Sequence, residues 1–95
     1  MSSIIEIYYR LPVDHAKEMR IAELAGPHGG RLDFREEVET PKVCSYVCLT
    51  YEYYLFAEAL AAAESLRACG FHVEGPSEYG ENHTKTEQRA DANGS

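Results

Sequence analysis

Residues 43–70 constrain this chain more than any other stretch. A β-rich run, VCSYVCLTY, passes through Glu52, Tyr53 and Tyr54 into an alanine-rich segment, LFAEALAAAESLRACG, so one strand hands directly to one amphipathic helix. The strand divides into two faces, Val43, Val47, Leu49 and Tyr51 on one and Cys44, Tyr46, Cys48 and Thr50 on the other. On the helix, Phe56, Ala59, Ala63 and Leu66 recur at spacings of three and four, flanked by Leu55, Ala62 and Cys69. Glu58, Glu64 and Arg67 take the outer side, and Gly70 stops the helix.

The remaining elements arrange themselves around this pair. Residues 4–11, IIEIYYRL, read as a first strand with Ile5, Ile7, Tyr9 and Leu11 on one face and Ile4, Glu6, Tyr8 and Arg10 on the other. Pro12 ends it, Asp14 is placed to cap a helix, and HAKEMRIAELA follows, with Gly26 as its expected terminator. Residues 31–39 alternate, Leu32, Phe34 and Val38 against Arg31, Asp33, Arg35, Glu37 and Glu39, which predicts a half-buried strand with Glu36 as a misfit on its apolar side. Thr40-Pro41 implies a hairpin turn, and Phe71–Glu74 a short last strand closed by Gly75-Pro76. Residues 77–95 carry almost nothing to bury and are expected to form a disordered tail after a single domain spanning 1–76.

The order βαββαβ predicts an α+β fold, most economically a ferredoxin-like sandwich. Its antiparallel sheet would run in the order 4-1-3-2 with both helices on one face. The two most apolar strands then fall in the centre. The chief alternative is an open or swapped variant in which the short fourth strand pairs elsewhere or in another subunit.

Composition narrows the function classes. The 95 residues carry 9 basic and 16 acidic side chains, a formal charge of −7, with no Lys/Arg cluster to attract a phosphate backbone or an anionic membrane. Neither nucleic acid nor membrane is therefore an expected partner. No apolar run is long enough to span a bilayer, MSSIIEIYYR lacks the features of a signal peptide, and three cysteines do not make a disulfide framework. A cytoplasmic protein with reduced thiols is the expectation, so the Asn82-His83-Thr84 sequon carries no meaning.

Three groups of residues are candidates for chemistry. Arg10, His15, Cys69 and His72 would gather at one end of the sheet, but without short ligand spacing no metal or other cofactor is expected there. Cys44 and Cys48 are neighbours in sequence yet about 13 Å apart along a strand, too far for a disulfide. At the opposite end His28, Tyr51, Tyr53, Tyr54 and Tyr79 would surround a glycine-rich loop. That group suits a small polar or aromatic ligand, with aromatic packing over a thin core as the structural alternative.

A further candidate is the sheet face turned away from the helices, centred on Ile4, Tyr8, Tyr46 and Cys48. Tyr8 and Tyr46 sit where RNA-recognition motifs keep their stacking aromatics, but the basic charge and the Lys/Arg-Gly-aromatic pattern of that family are absent. A mixed Ile/Tyr/Cys face with a polar rim reads better as a protein surface. In architecture the chain resembles ferredoxin-like domains of the ACT-like and dimeric α+β barrel kinds, which pair edge to edge or face to face. The expectation is a small interaction or ligand-sensing module, homodimeric or bound to another protein through this face or an edge strand. A small cofactor-free enzyme of the dimeric barrel type with a His/Tyr pocket is the alternative.

Overall fold

The computed structural model describes residues 2–39 and 45–78. Its elements are β1 (Ser3–Arg10), α1 (His15–Ala25), β2 (Arg31–Val38), β3 (Tyr46–Tyr53), α2 (Phe56–Ala68) and β4 (His72–Glu78). The four strands form one antiparallel sheet in the order β2-β3-β1-β4, so the chain is α+β. β1 and β3 are its central strands, as their apolar content requires. The expected Thr40-Pro41 turn, Val43, Cys44, Tyr79 and the chain beyond it lie outside the described residues.

A single core joins the layers. Ile5, Ile7 and Tyr9 of β1 and Val47, Leu49, Tyr51 and Tyr53 of β3 share one buried cluster with Ile21 and Ala25 of α1 and with Ala59, Ala62, Ala63 and Leu66 of α2. These strand residues alternate, so both helices cover the same side of the sheet. The alanines let α2 lie close to the strands. Asp14 caps α1, its carboxylate accepting the Lys17 N–H at 2.9 Å.

Several local expectations need correction. Gly26 does not terminate α1 in a left-handed conformation: its φ of −62° continues the turn into a short 3-10 segment, Gly26–His28. The left-handed stop comes at Gly29, with φ 90°. Gly30 follows under the ring of Tyr53, where any Cβ would lie 2.3 Å from the tyrosine Cζ. Phe56 is 52% exposed rather than packed, because it is the first helical residue and Tyr53 already fills that end of the core. The buried stripe of α2 starts at Ala59.

β4 is also longer than its apolar residues suggest. It runs from His72 to Glu78 and pairs with β1 of its own chain, with a shift in register opposite Ile4–Glu6 where Gly75 has φ 97°. Gly75-Pro76 is thus a bulge within the strand rather than its end.

The largest departure is in β2. Its pairing with β3 shifts between Leu32 and Phe34: Leu32 lies opposite Tyr51, Phe34 opposite Thr50 and Asp33 opposite neither. This bulge changes the phase of the strand, so Leu32, Arg35 and Glu37 fall on the helix side, while Phe34, Glu36 and Val38 fall on the open side. β2 is accordingly not half-buried along one apolar face, and Phe34 is 57% exposed.

Arg35, brought to the helix side, ties β2 to α1. Its Nε and a terminal nitrogen each donate to the Glu18 carboxylate at 2.9 Å, and its other terminal nitrogen donates to Glu37 at 2.7 Å. The Tyr9 hydroxyl also donates to Glu18 and accepts the Asp14 N–H. The Arg35 bonds, with smaller help from Tyr9, hold the Glu18 carboxyl below its ordinary pKa.

Candidate functional site

The open face can be described in rows across the sheet, because the strand registers fix which residues are neighbours. The central row is Glu36, Cys48, Tyr8 and His72, from β2, β3, β1 and β4 in turn. On one side lies the row Phe34, Thr50, Glu6 and Glu74; on the other lie Val38, Tyr46 and Arg10. Ile4 and Glu52 stand one row further out.

Aromatic rings organise the centre. Tyr8 meets Tyr46 and His72 edge-on, each with ring centroids 5.5 Å apart. His72 Nε2 lies 3.1 Å from the Glu74 carboxylate. Cys48 and Thr50 are buried beneath these side chains, and Ile4 is buried among its neighbours. All four residues proposed from the sequence for this face therefore lie on it, but Tyr8 and Tyr46 offer accessible surface while Ile4 and Cys48 offer little.

The charges are unevenly placed. Glu6 lies directly across from Glu74 and diagonally, over the intervening β3, from Glu36. Partial burial raises its carboxyl pKa, and the two other carboxylates push it the same way. Burial also raises the Tyr8 hydroxyl pKa and lifts the Cys48 thiol to about 11, which keeps Cys48 protonated and a poor nucleophile. Arg10, on the other flanking row, is exposed and has no ion-pair partner among the described residues.

The tyrosine group at the loop end is divided by the fold. Tyr53 is buried, its hydroxyl donating to the Ala25 carbonyl at 3.1 Å, and Tyr54 is exposed. Both border a depression of about 220 Å³ with Gly29, where Ser2 and Arg31 donate to the Glu52 carboxylate at 2.7 and 2.6 Å. His28 sits half-buried in the 3-10 turn and does not line that depression, and Tyr79 is outside the described residues. Tyr51 faces elsewhere, into a groove of about 330 Å³ between α1 and the sheet.

Arg10, His15, Cys69 and His72 are likewise separated. His15 borders the α1 groove, Cys69 caps α2, and Arg10 and His72 are on the open face. Among the described residues no three His, Cys, Asp or Glu side chains converge as a metal site would require.

No protein-family model matches this chain, and no curated protein or solved structure matches it. Among the described residues no helix is long and apolar enough to cross a membrane.

Two site features escaped the sequence pattern. The β2 bulge adds Phe34, Glu36 and Val38 to the open face, and the only advance signal of it was Glu36, which alternation had set on an apolar side. The α1 groove left no local mark, since its walls come from Met19, Leu32 and Tyr51 on three different elements.

Proposed function

We propose that this chain is a homodimeric interaction module, a ferredoxin-like sandwich whose two copies pack their open sheet faces together. The observation that carries the reading is the self-complementary order of the rows. A two-fold axis lying between the faces along the central row, perpendicular to the strands, sets each strand over its own copy running the opposite way. Tyr8 then meets the partner's Tyr8. The flanking rows exchange, so Glu6 lies over the partner's Arg10, Phe34 over the partner's Val38 and Thr50 over the partner's Tyr46.

Aligned sheet packing turns the strands by about 30°, which displaces residues two positions from the axis by only about 3–4 Å. These pairings survive that rotation. The arrangement gives Arg10, which has no ion-pair partner among the described residues, a carboxylate and relieves the crowding at Glu6. Its cost is Glu36 facing the partner's Glu36, at the β2 edge where water screens the repulsion.

The edges support face pairing over strand addition. β2 carries the bulge at Asp33, β4 the bulge at Gly75-Pro76, and Pro76 has no N–H to offer a neighbouring strand. A four-stranded face, with three strands of eight residues and one of seven, covers roughly 500 Å², below the roughly 800 Å² per partner of standard interfaces. The dimer is therefore expected to be weak, with Kd of about 10–100 μM.

Charge swapping tests the reading. By sedimentation equilibrium Arg10→Glu should weaken the dimer at least about tenfold, Tyr8→Ala should do the same, and Arg10→Glu with Glu6→Arg should recover it. A wild-type protein monomeric at about 500 μM, or a double variant no better than Arg10→Glu alone, overturns the proposal.

A further inference from the structure

The groove between α1 and the β2 side of the sheet lies on the helix face, away from the surface assigned to dimerisation. Met19 and Ala22 form its α1 wall, Leu32 its β2 wall, and Leu49 and Tyr51 its floor. Its volume of about 330 Å³ falls at the lower end of the roughly 300–1,000 Å³ of small-molecule sites. Leu32 keeps the helix side, and the β2 bulge shapes the groove by turning Phe34 away to the open face, leaving Leu32 47% exposed. Met19, 65% exposed on the opposite wall, is the kind of flexible side chain that adapts to an apolar guest.

The floor holds a polar group with no hydrogen-bond partner among the described residues. Tyr51 is only 6% exposed, yet no described residue hydrogen-bonds its hydroxyl. Among the described residues no fully occluded polar atom lacks a bond, so this oxygen is not sealed off, and Tyr51 is one of the residues lining the groove. A hydroxyl held in an apolar recess is costly to leave dry and well placed to bond a guest.

Charge selects the kind of guest. Glu18 and His15 border the recess; the field of the Glu18 carboxylate acts on Tyr51, which disfavours an anion beside that hydroxyl, while Arg35 is already committed to Glu18 and Glu37. A cation gains little, because Arg35 and Tyr9 have already satisfied Glu18. We infer that the groove binds a compact neutral molecule, aromatic or alicyclic, whose single carbonyl oxygen accepts the Tyr51 O–H. This inference is independent of the dimer, and either can fail alone.

Two isosteric probes test it. Acetophenone has the carbonyl; α-methylstyrene has the same shape with a methylene in its place. Titrated against the full chain and followed by NMR, acetophenone should shift the methyl signals of Met19, Ala22 and Leu32, and bind more tightly than α-methylstyrene. Tyr51→Phe should weaken acetophenone about fivefold and leave α-methylstyrene unchanged. Ala22→Leu, at an exposed helical position, should fill the groove and abolish both, with a dispersed spectrum confirming that the variant is folded. Absence of shifts at about 10 mM probe, shifts centred on Tyr54 and Phe56 instead, or equal weakening of both probes by Tyr51→Phe would overturn the inference.

Discussion

Glu6→Gln should move two measurements in opposite directions. Within one copy, the Glu6 carboxylate lies directly across from Glu74, and like charges so placed cost about 0.2–1 kcal/mol. Glu36 adds to that repulsion, and partial burial makes the ionised form more costly still. Neutralising Glu6 should therefore raise the unfolding free energy of the monomer at pH 7 by about 0.5–1 kcal/mol. In the proposed dimer, the same change removes two contacts between Glu6 and the partner's Arg10. Their loss should cost about 1–2 kcal/mol, or about five- to thirtyfold in Kd.

Urea unfolding at low micromolar concentration isolates the monomer, because dimerisation stabilises only by mass action; sedimentation reads the other arm. The pH dependence adds a check on sign. A carboxyl whose folded pKa is raised contributes stability below its unfolded value, about 4.3 for Glu, and that contribution is lost as pH rises through the folded pKa. The variant's advantage should accordingly vanish below about pH 4 and grow towards neutrality. A monomer destabilised by Glu6→Gln at pH 7, or a dimer tightened by it, refutes the placement of charge on this face.

Two further outcomes follow from local packing. Gly30→Ala would drive a Cβ to 2.3 Å from Cζ of buried Tyr53, whose ring is anchored by its bond to the Ala25 carbonyl. The overpacking and loss of that bond should cost about 2–4 kcal/mol by urea unfolding, and a cost below about 1 kcal/mol would contradict the packing. In the native protein at about pH 8, iodoacetamide should modify exposed Cys69 while buried Cys48, its thiol lifted to about 11, reacts only after unfolding. Peptide mapping that found both cysteines labelled at one rate would count against the burial of Cys48.

How much was legible in the sequence depended on whether one periodicity ran unbroken. β1 and β3 alternate without interruption, and their inward residues Ile5, Ile7, Val47, Leu49 and Tyr51 are the core that period two predicts. Asp14 was equally readable, because its capping role depends only on the next three residues. β2 was not, since one extra residue at Asp33 reverses the phase and no turn-forming glycine marks the place. Phe56 misled for a different reason. Its spacing fits the buried stripe of α2, but whether the first residue of a helix reaches the core depends on what the neighbouring strand already puts there, in this case Tyr53. The tyrosine cluster was legible as composition but not as a site, because the alternation of β3 and the start of α2 send Tyr51, Tyr53 and Tyr54 to different surroundings.

The bulges in β2 and β4 also bear on how far assembly can proceed. A straight edge strand presents the same hydrogen-bonding row to every newcomer, and each added copy exposes a fresh one, so growth has no natural end. A contact made by the open face about a two-fold axis uses that surface up on both copies at once. If the open faces pair as proposed, the interrupted edges beside them favour a closed pair over a filament. A regularised β2, freed of its extra residue at Asp33, would put that limit at risk even with every other contact unchanged.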